Sequence, residues 1–206
     1  MACHRQRVKD LKLMANQIRR DVVEMIYRAN AGHPGGSLSC VDLVTALYFA
    51  VMRLDPKRPA WPDRDRFIMS KGHGCPTWYA ALAHRGFFPR EELWTLRQYP
   101  SILQGHPDMK KTPGVDMTSG SLGHGLSAGL GMALGAKLNG QDFNVYVLLG
   151  DGELQEGLVW EAAMAASQLR AGYHLDRAGA EEEDASAARG DPQSIRLPTF
   201  VAFRQE

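Results

Sequence analysis

Apolar residues recur at intervals of three and four over residues 8–27, at Val8, Leu11, Ala15, Ile18, Val22, Met25 and Ile26, with Arg19, Arg20 and Asp21 between them. That spacing predicts an amphipathic helix. It should stop at residues 30–36, where Gly32, Pro34, Gly35 and Gly36 interrupt the pattern. Ser39 followed by Asp42 reads as an N-cap opening a largely buried helix through Val41, Leu43, Val44, Leu47, Tyr48, Val51 and Met52. Residues 55–62 form a proline-broken connection, and 66–70 read as a short strand running into Lys71-Gly72-His73-Gly74. Pro76 can begin a helix through Leu82, and Pro89 with Glu91 and Glu92 has the composition of another first turn. Residues 100–125 are loop-rich. Small residues then dominate to Leu138, and glycine at that frequency weakens a helix unless close packing or a ligand compensates. Residues 145–149, Val-Tyr-Val-Leu-Leu, suit a strand buried on both faces, and residues 158–169 have a helical composition.

This alternation predicts an α/β fold, a mostly parallel sheet with helices on both faces. In such sheets ligands bind at the carboxyl ends of the strands, where both strand-to-glycine junctions fall. At the second junction the apolar run ends in Gly150-Asp151-Gly152. A strand, a glycine turn and a helix N-terminus together favour a phosphate, because unpaired amides and the helix dipole attract negative charge. A carboxylate such as Asp151 is repelled by phosphates unless a hard divalent cation such as Mg²⁺ lies between them. The implied ligand is a metal diphosphate; an ordinary solvent-facing turn uses the same tripeptide.

Charge and composition narrow the class. The formal net charge of +1, with 23% charged residues and no basic block, argues against nucleic acid or a charged membrane surface as partner. Cys3, Cys40 and Cys75 show no pairing pattern, as expected of reduced thiols in the cytoplasm. No secretory signal and no bilayer-spanning apolar run is visible. Four histidines, His33, His73, His106 and His124, follow or are bracketed by glycine in predicted loops. Their rings are candidates to converge on a polar substrate as hydrogen-bond partners or proton shuttles, although loop histidines are commonly only solvated. They lack the short spacing of strong zinc motifs. Gly125-Leu126-Ser127-Ala128-Gly129 matches a hydrolase nucleophile elbow, but no strand pattern precedes it, so a close-packed helix is the better reading of Ser127.

Five blocks carry a family resemblance: residues 32–37, residues 65–73, Gln104-Gly105-His106-Pro107, residues 119–123 and residues 150–157. In this order across residues 8–167 they resemble the N-terminal, thiamine diphosphate-binding part of transketolase, and particularly the small subunit of split transketolases. The resemblance implies a thiamine diphosphate-binding fold over residues 1–206, thiamine diphosphate with Mg²⁺ or Ca²⁺, and transfer of a two-carbon ketol unit between sugar phosphates. It implies Asp151 as metal ligand, Gly150 and Gly152 at the diphosphate, and Gly120, Leu122 and Glu156 in the cofactor site. It places His33, His73 and His106 at the reaction centre, and Glu156 and Glu161 as acids linking two sites across a dimer interface. The family's pyrimidine-binding domain has no counterpart here, which implies a complementary C-terminal (pyrimidine-domain) subunit, in a homodimer or heterotetramer.

Beyond residue 167 the resemblance breaks. The family completes its metal site with an asparagine after a second strand, but its spacing from Asp151 lands on Glu181 in a run of Glu and Asp. Residues 168–206 read as a divergent tail, with a solvated loop over 178–191 and a final strand over 196–203. The chain resembles a domain shortened near its C-terminus, by internal deletion or through a frameshifted tail. A non-catalytic binding or assembly protein derived from transketolase is the alternative function.

Overall fold

The computed structural model describes residues 2–169, 171, 173–177 and 199–203. The first helix, α1 (Ala2–Ala29), buries Ala15, Ile18, Val22 and Met25, the stripe that the spacing predicts. The glycine-proline stretch after it is not simply a loop. Pro34 starts a short helix, α2 (Pro34–Leu38), because proline is tolerated where the amide has no helical partner. Ser39 is therefore the C-cap of α2, not an N-cap. The next helix, α3 (Val41–Ala46), is capped by Cys40 and widens into a π turn at Leu47–Val51. Pro76 lies in the first turn of α4 (Cys75–Arg85), whose residues 75–83 are all buried, and the turn expected after Pro89 is a 3-10 helix at Arg90–Thr95.

Strands β1 (Arg66–Met69) and β2 (Val145–Leu149) pair in parallel, with Met69 opposite Leu148. Alternate side chains enter two cores. Phe67, Met69, Tyr146 and Leu148 pack with α1, α3 and α4, whereas Ile68, Val145, Val147 and Leu149 pack with α5 (His124–Leu138) and α6 (Gly157–Gln168). Helices cover both faces, so the near-continuous apolar strands have a direct cause. Two further strands complete the order β1-β2-β4-β3: β4 (Thr199–Phe203) runs antiparallel to both β2 and β3 (Tyr173–Arg177). β1, β2 and β3 thus share one direction and β4 opposes them. The expected final strand is present over Thr199–Phe203, while the predicted loop over 178–191, with Glu181, lies outside the described residues. β3 was not anticipated from the sequence.

Buried carboxylates lock these elements together. Asp65 accepts hydrogen bonds from the backbone amides of Arg53 and Asn144, both at 2.8 Å, and so holds the entry ends of β1 and β2 side by side. Asp21, on α1, accepts from Gln17, from His84 of α4 at 2.7 Å, and from Arg90. Burial alone would raise the Asp21 pKa, but the hydrogen bonds from His84, Arg90 and Gln17 outweigh it and bring it from 3.8 to about 2. A carboxylate depressed in the folded state contributes stability above its unfolded pKa and loses it as pH falls through the folded one.

Helix α5 buries Gly125, Leu126, Gly129, Leu130, Ala133 and Ala136, but a Cβ at Gly131 or Gly135 would meet no atom within 4 Å. Close packing thus explains only some of its glycines. Gly131→Ala should therefore stabilise the isolated chain by roughly 0.5–1 kcal/mol, measured by urea unfolding, since alanine loses less backbone entropy in a helix. Asp21→Asn should cost about 2 kcal/mol at neutral pH and flatten the loss of stability between pH 4 and pH 2, the window set by 3.8 and about 2.

Candidate active site

A cavity of about 550 Å³ opens at the carboxyl ends of β1 and β2, within the usual range of small-ligand sites. Three segments wall it: Gly35, Gly36 and Ser39 around α2; Lys71 and His73 after β1; and Gly150 to Glu153 after β2, with Leu122 from the loop before α5. Parallel pairing brings the second and third segments together, since Ser70 N donates to Leu148 O at 2.9 Å where both strands end.

The loops approach so closely that two glycines have no substitute. A Cβ at Gly72 would stand 2.9 Å from the backbone nitrogen of Gly120, and one at Gly125 would stand 2.3 Å from Ser70 Oγ. Ser119 Oγ donates to Met69 O at 2.7 Å and its amide to Pro107 O at 3.2 Å, so the segment carrying Gly120 is tied both to β1 and to the loop of His106. The His33 carbonyl accepts from Ser37 Oγ at 2.9 Å, and Thr77 Oγ1 donates to Ser37 O at 2.7 Å, anchoring α2 to α4.

The predicted histidines gather on one side. The rings of His33 and His73 lie 5.1 Å apart, and His106 packs on Gly120, with 3.3 Å between its ring and a Cβ built there. Burial lowers the His73 pKa, and the charges of His33, Lys71 and His106 lower it further. His106 is lowered by burial, then by Arg97 and His33. Neutral imidazoles are what hydrogen-bond exchange or proton transfer near neutral pH requires. His124, by contrast, starts α5, exposed, with its ring near the carbonyl of Leu122.

Asp151, Gly150, Gly152 and Leu122 line the cavity as the sequence suggests. A Cβ at Gly35 or Gly152 would have nothing within 4 Å, so any side chain there would take up cavity space. Gly120 sits behind His106, and Glu156 is exposed against Gly123 without lining the cavity, as Glu161 is exposed on α6. Ser127 is exposed inside the first turns of α5 with no strand before it, which removes the nucleophile elbow. Among the described residues no cluster of three or more His, Cys, Asp or Glu could enclose a metal.

Two charged cavity residues escaped the sequence reading. Lys71, 4% exposed, lines the wall and donates from Nζ to Ser39 Oγ at 3.0 Å. Glu153, 3% exposed, accepts from Ser70 Oγ at 2.5 Å, Gly123 N at 2.8 Å and Gly150 N at 2.9 Å. Their signal was available: a lysine directly after an apolar strand, and an acid two residues after Asp151 inside the same glycine turn. The glycine cradle, the Lys71 ammonium and the Asp151 carboxylate together suit a diphosphate carried with a cation, which Asp151 could hold.

Residues 11–175 match the family model described as transketolase, thiamine diphosphate binding domain. The chain is 50% identical over 161 residues to the 6-deoxy-6-sulfo-D-fructose transketolase subunit SqwG of Clostridium sp. (strain MSTE9), covering 78% of this chain and 58% of that protein. It is 48% identical over 169 residues to an apulose-4-phosphate transketolase subunit of Phocaeicola vulgatus, covering 82% of this chain and again 58% of the relative. Its fold superposes on transketolase from Leishmania mexicana with a TM-score of 0.72 at 36% identity, over 77% of this chain and 25% of that one. The chain thus spans less than two thirds of the length of these relatives. No helix among the described residues is long and apolar enough to cross a membrane.

The electrostatics of the histidine group predict that His73 titrates below 6.5. In an NMR titration of the ring protons, His33→Asn should move that midpoint upward, because one positive neighbour is gone. An unmoved midpoint would assign the depression to burial and the remaining cations.

Proposed function

The chain belongs to the transketolase family through its thiamine diphosphate-binding domain, and on that premise we propose that it is one subunit of a split transketolase. In this reading the subunit transfers a two-carbon ketol unit between sugar phosphates and needs a complementary chain carrying the pyrimidine-binding domain. The observation that carries the reading is the meeting of His73, its ring 5.1 Å from that of His33, with Asp151, Gly152 and Lys71 around one cavity, from segments far apart in sequence. Thiamine diphosphate supplies the carbon–carbon bond chemistry when bound; the protein orients, neutralises and moves protons.

In this proposal Asp151 holds Mg²⁺ or Ca²⁺, the Gly150 and Gly152 turn receives the diphosphate, and Gly120 and Leu122 form the wall beside the cofactor. His33, His73 and His106 position substrate hydroxyls and move protons at the reaction centre. Glu156 and Glu161, exposed at the start of α6, face a second copy in a homodimer or heterotetramer. The relatives' names refer to a sulfonated and a phosphorylated sugar, which favours a substrate with an anionic tail. Cys40 and Cys75, buried and unpaired, favour a cytoplasmic setting.

One observation favours the non-catalytic reading: where the family resemblance expects an asparagine as the metal's next ligand, this sequence has Glu181. Calorimetric titration with thiamine diphosphate and Mg²⁺, alone and with a pyrimidine-domain chain, separates the two. The proposal expects binding that tightens with the second chain and weakens at least tenfold in Asp151→Ala, together with ketol transfer in the assembled enzyme. Binding without ketol transfer would favour the alternative, and no heat in either titration would sink the cofactor-binding proposal and leave an assembly role.

A further inference from the structure

Glu153 is a carboxylate buried beside a cavity that we read as an anion site, which is electrostatically unfavourable unless its charge is engaged elsewhere. All three of its hydrogen-bond donors belong to the cavity's own walls. Ser70 immediately precedes Lys71; Gly123 immediately follows Leu122; Gly150 opens the turn that carries Asp151 and Gly152. Neither amide belongs to a strand ladder or a helix. Gly123 is the N-cap of α5, in the left-handed region at φ +84, and Gly150 lies just past the end of β2. Glu153 supplies the acceptor for both.

We propose that Glu153 is the positioning residue of this site, its carboxylate clasping Ser70, Gly123 and Gly150 so that the segments after β1, before α5 and after β2 hold the shape of a diphosphate cradle before any ligand arrives. This deepens the reading given above and rests on it. The role is geometric, because the groups that donate to the carboxylate are wall groups and they take up both of its oxygens. A pre-formed cradle spares the ligand the ordering of three loops at the moment of binding.

The isosteric variant Glu153→Gln tests this sharply. With the amide oxygen at the Oε1 position, the NH₂ confronts the Gly150 N–H; in the flipped orientation it confronts the Gly123 N–H. Ser70 can reverse its hydroxyl, but a backbone donor cannot, so either orientation breaks one arm of the clasp. Two measurements on the full chain decide. In amide hydrogen exchange without ligand, Glu153→Gln should raise the exchange rate at Gly123 or Gly150 by at least tenfold while Val147, in β2, stays protected. In calorimetry with Mg²⁺ and inorganic pyrophosphate, the same variant should bind at least tenfold more weakly. Ile18→Ala, a core substitution on α1 chosen to lower Tm as much or more, should keep its pyrophosphate affinity within about twofold, which a purely structural role of Glu153 would not allow. Unchanged exchange or unchanged affinity in Glu153→Gln overturns the inference alone. Failure of the unaltered chain to bind pyrophosphate overturns the diphosphate reading beneath it, and with it the inference.

Discussion

The parallel pairing of β1 with β2 is the constraint from which the shape of the site follows. Parallel neighbours must end on the same side of the sheet, so the turns after Met69 and after Leu149 emerge together. Each strand is buried on both faces, and the two cores lie on opposite sides of it. A one-residue slip of either strand would exchange its two faces and separate Lys71 from Gly150. The cavity is thus a consequence of register before it is a consequence of any side chain that lines it.

That register is guarded at both ends by buried carboxylates with backbone donors. Asp65 joins the amides of Arg53 and Asn144 where the strands begin, and Glu153 joins Ser70, Gly123 and Gly150 where they finish. Asp21 does the corresponding work between α1, α4 and the Arg90–Thr95 turn. A buried carboxylate with all its neighbours donating is specific in a way that apolar packing is not, because removing one partner leaves a charged oxygen without water. The helices and strands supply burial, and these acids fix which segments meet.

Most of the architecture was legible in the sequence because local patterns and global fold agree. The stripe of Ala15, Ile18, Val22 and Met25 could only be one face of a helix, and Val145 to Leu149 could only be a strand covered on both sides. Asp151, Gly152 and His73 were recognisable from glycine-flanked motifs and Leu122 from the family resemblance, and the structure sets them on one cavity. Ser39 misled because a cap and a hydrogen-bond acceptor for a distant lysine look identical in sequence; its Oγ receives Lys71 Nζ across the cavity wall. The role of Glu153 was hidden for a similar reason. Its donors come from positions 70, 123 and 150, and no local pattern announces a contact over such separations. The glycines of α5 were read collectively, whereas Gly125 is demanded by Ser70 and Gly131 by nothing among the described residues.

Membership of the transketolase family and 58% coverage of two subunit relatives support the proposal that this chain supplies the diphosphate side of a site completed by a second chain. Everything proposed for this chain turns on whether the cavity between Gly36, Lys71 and Gly152 receives the diphosphate. A crystal structure of the chain grown with thiamine diphosphate and Mg²⁺ would answer that without intermediate assumptions. Diphosphate density is expected in that cavity, with the cation against Asp151 and Lys71 Nζ within hydrogen-bond distance of a phosphate oxygen. Density at any other surface, with this cavity holding only water, would refute the assignment.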